Sequence, residues 1–167
     1  MGAFVARYSD AINSQSMEIK SYITGFIDGE GCFSVSFNLR KKLKNGIEVR
    51  PSFSVSQNKR SKKIIFRLKK IFGCGSVRFS AKDDNYKFEV RSINDLTSKI
   101  IPFFEKNILQ TNKQNDFILF KNVCKTVKSG EHLSKSGLKN IIRQAYKMNA
   151  AGKRKFKKDD LLRMTAR

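Results

Sequence analysis

Hydrophobic periodicity changes without a spacer at Glu30-Gly31, and no other feature constrains the fold of this chain as much. Up to that point Ile19, Tyr22, Ile23, Phe26 and Ile27 follow i, i+3, i+4, i+7, i+8 spacing, the stripe that a helix buries. Beyond it Phe33, Val35, Phe37 and Leu39 alternate with Ser34, Ser36, Asn38 and Arg40, as in a half-buried strand. A helix is therefore expected over 17–29, running straight into a sheet. Its opposite face carries Ser21, Thr24, Gly25, Asp28 and Gly29. A glycine within a helix costs about 1 kcal/mol relative to alanine, so two of them four residues apart suggest close approach of another backbone. A helix cap would explain Gly29 but not Gly25.

The remaining pattern supplies the rest of a fold. Lys41–Gly46 ends in an Asn-Gly turn signal. A second strand then places Val49, Phe53 and Val55 inward and Glu48, Arg50, Ser52 and Ser54 outward, and runs out at Gln57. Helical spacing returns over 61–72 through Ile64, Ile65, Leu68 and Phe72, and Gly73-Cys74-Gly75 breaks it. Strands over 76–81 and 86–92 would turn Val77, Phe79, Tyr86, Phe88 and Val90 inward, with Arg78, Ser80, Lys87, Glu89 and Arg91 outward. Helices follow at 94–105, 112–128 and 134–148, with a short one at 159–164. The expected order is α-β-β-α-β-β-α plus extra C-terminal helices, an α+β fold with one sheet face on helices and one basic and polar. The chain divides into an N-terminal arm (1–16), a core domain (17–128) and a C-terminal helical extension (129–167).

Composition narrows the partners. Lys and Arg number 35 against 14 acids, a formal charge of +21, which points to a polyanionic partner, nucleic acid first of all. With 40% hydrophobic residues, 14 of the 167 being Phe, the chain can still build a core. Three separated cysteines (Cys32, Cys74, Cys124) fit neither a disulfide framework nor a zinc site. The single histidine, His132, excludes a nuclease built on clustered His ligands. No apolar run approaches the roughly 20 residues of a membrane span and no secretory segment stands out, so neither a membrane partner nor secretion is expected.

The small face of helix 17–29 would let an identical helix approach about a two-fold axis. Each copy would then deliver Glu30 to the same end of the contact, beside unpaired helix-terminal carbonyls. Carboxylate and carbonyl oxygens suit a hard divalent cation. Two such sites flanked by basic sheets suit metal-assisted phosphodiester hydrolysis.

The stretch Ile23-Thr24-Gly25-Phe26-Ile27-Asp28-Gly29-Glu30-Gly31 resembles the motif of the LAGLIDADG homing endonucleases. The order of elements is similar to that family's core over residues 17–128. Phe53-Ser54-Val55-Ser56-Gln57 resembles its second strand, and Thr111-Asn112-Lys113 the start of a later helix. The resemblance implies a site-specific double-strand DNA endonuclease using Mg2+ (or Mn2+). Glu30 would be the metal-binding catalytic acid and Gly29 a carbonyl ligand. Gln57 would position water and Lys113 would be the basic group. The family often has a lysine pair after the threonine, and Asn112 stands where the first would be; spacing leaves open whether Arg60 or Lys62 adds a second basic group.

A single motif copy implies a homodimer on a palindromic or near-palindromic site, with Ser21, Gly25, Asp28 and Gly29 at the dimer interface. Ser36, Asn38, Arg40, Arg50, Ser52, Ser54, Arg78, Ser80, Lys87 and Arg91 are then the candidates for DNA readout, since a β-ribbon fits the major groove. The resemblance suggests an intron-encoded protein of a mitochondrion or chloroplast, or of a microbial cytoplasm. The alternatives are a non-cleaving intron RNA maturase or DNA-binding regulator, against which the retained Glu30 argues, and an unrelated basic structural protein. Intron RNA is a further possible partner.

Overall fold

The computed structural model describes residues 17–149 and 152–165, so the arm at 1–16 lies outside the described residues. Helix α1 covers residues 17–30 and hands over without a loop to β1 (Gly31–Leu39). Gly31 makes this possible. A Cβ there would lie 2.5 Å from Ile27 Cγ2 and 2.7 Å from the Ile27 carbonyl oxygen, so any larger residue must push the strand off the helix. Gly31→Ala is expected to lower stability by about 1–3 kcal/mol, the range for overpacking a tight site, as read from urea unfolding.

Strands β1, β2 (Ile47–Asn58), β3 (Ser76–Ser80) and β4 (Asn85–Val90) form one antiparallel sheet in the order β1-β2-β4-β3. Gly31 pairs with Val55 and Phe53 with Val90. Pro51 falls where β2 pairs with β1 alone, beyond the end of β4; a residue without an N–H is tolerated there. One sheet face carries Phe33, Val35, Phe53, Val55, Phe88 and Val90, all buried. Helix α2 (Lys62–Phe72) covers that face with Ile65, Leu68 and Phe72, and ends at Gly73, whose φ of 58° closes it in the left-handed region. The Phe33 ring lies 5.1–5.3 Å from those of Phe53, Phe104, Phe117 and Phe120. These aromatic pairs add about 0.5–1.5 kcal/mol each beyond their burial. Phe33 follows Glu30 by only three residues, so the α1 terminus is tied directly to the core.

Beyond the sheet come α3 (Ile93–Asp95), a π-helical stretch (Leu96–Ile100) and α4 (Ile101–Lys106). The widened turn precedes Pro102, whose ring crowds the turn before it. Then follow α5 (Lys113–Lys128), α6 (Lys135–Ala145) and α7 (Lys158–Met164). Leu138, Ile141, Ile142, Ala145, Met148 and Leu161 join the same buried cluster as the sheet phenylalanines. The C-terminal extension thus shares the core's interior. It also covers the outer edge of β1, an exposed template for mispairing if left bare. Asn149 Nδ2 donates to Phe33 O at 2.7 Å and the Asn149 amide to Asp116 Oδ1 at 3.1 Å, while Arg154 donates to Val35 O.

Three residues expected inward are exposed. Tyr22 lies outside the core and stacks on Phe26. Leu39 ends its strand, and Phe79, on the edge strand β3, stacks on Tyr86. Each has the expected parity or spacing but keeps about half its surface exposed. Thr24, expected on the small face, is buried instead and returns its hydroxyl to Lys20 O. No described helix is long and apolar enough to cross a membrane.

Candidate active site and nucleic-acid interface

The C-terminus of α1 is held from the far side of the chain. The Asp28 carboxylate accepts hydrogen bonds from the Gln110 amide (2.8 Å), the Thr111 amide (3.1 Å) and the Thr111 hydroxyl (2.6 Å). Expected at the dimer interface, Asp28 thus turns its carboxylate to its own chain. This locks the loop before α5 and delivers Lys113, its first residue, to the α1 terminus. Lys113 Nζ donates to the carbonyls of Ile27 (3.0 Å) and Gly29 (3.1 Å), groups that lack a partner within the helix. Burial pushes the Lys113 ammonium below the ordinary lysine range, and the neighbouring Asp28, Cys32, Glu30 and Asp116 only partly restore it. Asp28→Ala would strip a charged acceptor from two amides and a hydroxyl. It is expected to cost about 1.5–3 kcal/mol in denaturant unfolding and to loosen Lys113 as well.

Glu30 is exposed at the last turn of α1 and forms no ion pair among the described residues. Gln57 lies two positions beyond the Gly31–Val55 pair and opposite Tyr86, at the same end of the sheet as the α1 terminus. Its position shares the parity of Phe53 and Val55. Arg60 and Lys62, the alternatives for a second basic group, make no hydrogen bond or ion pair to α1 among the described residues. The Arg60 amide instead caps onto Asn58.

The other sheet face is polar and cross-linked. Ser34 and Ser52 hydroxyls lie 2.9 Å apart, and Ser36 donates to Arg50 O. Glu48 pairs with Arg40 at 3.1 Å, and Asn38 lies within reach of Glu48 and Arg50. Ser80 donates to Asp83. Arg78, Lys87 and Arg91 all meet Glu89. One readout candidate drops out. Ser54 is only 7% exposed, between Cys32 on β1 and Glu89 on β4, and is too covered to reach a groove. On α1, Ser21, Gly25 and Gly29 are exposed. A Cβ added at either glycine meets none of the described residues within 4 Å.

Known proteins share this fold. The sequence model described as LAGLIDADG endonuclease matches residues 23–124. The chain belongs to this family. It is 31% identical over 130 residues to the probable intron-encoded endonuclease 2 of Neurospora crassa, covering 77% of this chain and 29% of that protein. The chain spans 24–41% of the length of that relative and two others like it. Among solved structures, the archaeal intron-encoded homing endonuclease I-Vdi141I complexed with DNA aligns with a TM-score of 0.83 at 28% identity, covering 90% of this chain and 96% of that one. The LAGLIDADG homing endonuclease I-LtrWI, bound to target DNA, aligns with a TM-score of 0.76 at 37% identity, covering 78% of this chain but 44% of that one. The LAGLIDADG motif of this chain is the terminal half of α1: Gly25 and Gly29 lie on its open face, Glu30 at its tip and Gly31 at the strand junction. What spacing alone did not show is the part of Asp28, whose partners lie 82 and 83 positions away.

Proposed function

We propose that this chain is a site-specific DNA endonuclease acting as a homodimer on a palindromic or near-palindromic duplex, with divalent metal, Mg2+ or Mn2+, at the α1 terminus. One observation carries the reading. Among the described residues, the tip of α1 combines a carboxylate without an ion pair, the Gly29 carbonyl oxygen and a lysine ammonium at the end of a basic, polar sheet face. The donors suit a hard cation: Glu30 offers carboxylate and Gly29 a carbonyl with a second lone pair beside the one Lys113 uses. No group of three or more His, Cys, Asp or Glu side chains converges among the described residues. A single copy therefore offers too few acids for a metal cage, and a second copy would double them. The cation, once bound, supplies Lewis acidity and a more acidic water. The chain's own part is to hold the α1 terminus through Asp28, to place positive charge with Lys113, and to offer Gln57 for orienting water.

Two features support a dimer. The chain spans nearly the whole of I-Vdi141I but under half of I-LtrWI, as one of two equivalent halves would. The open glycine face of α1 gives those halves a place to meet. The test is selection of cleaved duplexes from a randomised library with Mg2+, Mn2+ or EDTA. A symmetric site cut only with metal is expected; metal-independent cutting or an asymmetric site would overturn the respective part. Affinity should also fall steeply with salt, as counterions leave each contacted phosphate. An intron-encoded gene, as named for the Neurospora relative, would place the protein in a mitochondrion or chloroplast, or in a microbial cytoplasm.

A second role, binding intron RNA, is favoured by α2. That helix packs on the sheet face opposite the readout face, so its exposed Lys62, Lys63, Arg67, Lys69 and Lys70 point away from a duplex held there. Exposed Phe66 lies among them and Phe79 is nearby through Tyr86, and aromatic rings beside cations suit unstacked bases. Lys63→Glu with Lys70→Glu should weaken retention of single-stranded RNA in gel shifts and spare duplex DNA cleavage.

A further inference from the structure

At the centre of the readout face lies an acid that the proposed function leaves unused. Glu89, in β4, is 6% exposed, and three cations surround its carboxylate. Lys87 Nζ meets Oε1 at 3.2 Å; Arg91 Nε meets Oε2 at 2.9 Å and Arg78 Nη2 meets the same oxygen at 3.2 Å. Among the described residues no other carboxylate holds more than one cation. Burial pushes the Glu89 carboxyl up, but Lys87, Arg91 and Arg78 outweigh it and hold it below the usual carboxylate range. A buried ion persists only when paired, so the acid fixes its three partners as firmly as they fix it.

The geometry of those pairs is selective. Arg91 gives Glu89 its Nε, both terminal Nη groups lie side by side without another partner among the described residues, and its side chain is 50% exposed. Arg78 gives one Nη2 and is 56% exposed. A guanidinium fork held in place matches O6 and N7 of guanine in the major groove, the commonest specific contact to a base pair. An unheld cation takes phosphate instead, which every duplex offers and which carries no sequence information. We infer that Glu89 is a positioning residue that aims Arg91 and Arg78 at guanine in each half-site and keeps Lys87 from indiscriminate phosphate contact. The inference rests on the endonuclease reading of the polar face.

The test compares wild type, Glu89→Gln and Glu89→Asp in duplex selection, and in binding to the selected and a scrambled duplex over a range of salt. Wild type should enrich guanine at two pairs per half-site. Glu89→Gln should lose that preference, and its ratio of selected to scrambled affinity should fall by roughly ten- to a hundredfold. Its affinity for scrambled DNA should rise, with a log–log salt slope steeper by roughly 0.9 for each added phosphate contact. Glu89→Asp, which keeps the charge, should recover part of the ratio. Equal loss of affinity for both duplexes together with lost thermal stability would make Glu89 mere structural support and overturn the inference. So would an unchanged selected site. Should Glu89→Gln not fold, Arg91→Lys serves: it keeps the charge but not the fork. Guanine preference should then vanish at one pair, and its persistence would overturn the inference. A wild type that selects no sequence would remove the endonuclease reading itself, a result distinct from all of these.

Discussion

Glu30→Gln is expected to abolish cleavage while duplex binding survives. The substitution keeps size and shape and removes one negative charge at the tip of α1, where Glu30 is exposed and, among the described residues, holds up no other group by an ion pair. Folding should therefore be untouched. A neutral amide oxygen brings none of the negative charge with which a carboxylate holds a hard cation, and metal assistance is worth several kcal/mol of transition-state stabilisation, which converts to roughly a thousandfold or more in rate. Binding should respond with the opposite sign. A carboxylate beside phosphates repels them, so its loss leaves duplex affinity equal or slightly higher. Single-turnover cleavage with Mg2+ and filter binding in EDTA separate the two effects. Cleavage within tenfold of wild type would remove Glu30 from the chemistry.

Much of this fold can be read from periodicity because the core uses period and parity strictly. Ile23 and Ile27 on α1 and Phe33, Val35, Phe53, Val55, Phe88 and Val90 on the sheet all lie where spacing put them. Where the reading failed, coverage decided: Tyr22, Leu39 and Phe79 have the right spacing but stay exposed. Ser54 shows the converse, an outward position closed over by its neighbours. In the candidate site the motif marked Glu30 and the glycines. The anchor of Lys113 could not be read, because Asp28 reaches loop residues more than eighty positions away. Gly31 is legible only as a packing distance to Ile27. Glu89 did leave a sequence signal: Lys87-x-Glu89-x-Arg91 puts an acid between two cations on one strand face. Arg78 on β3 completes that cluster, and only strand pairing reveals it.

Gly25→Leu is expected to dissociate the proposed dimer while making the separate chain no less stable. A Cβ at Gly25 meets none of the described residues within 4 Å, so a larger side chain enters space that they leave open in the monomer. Replacing a mid-helix glycine also favours the helix itself, by an amount close to 1 kcal/mol. A second copy packed on the same face would meet the new side chain at once. Overpacking costs about 1–3 kcal/mol per site, and a two-fold contact counts it twice, about 2–6 kcal/mol in all. The dimer dissociation constant should then rise roughly thirtyfold to twenty-thousandfold. Sedimentation across a concentration series reads the association, and thermal unfolding at low concentration reads the chain. The two must move apart: weaker association with equal or greater monomer stability assigns the glycine face to a partner helix. An unchanged dimer would mean that the copies meet elsewhere. Cleavage should fall together with association, because one copy alone supplies only one Glu30 and one readout sheet for a two-stranded target.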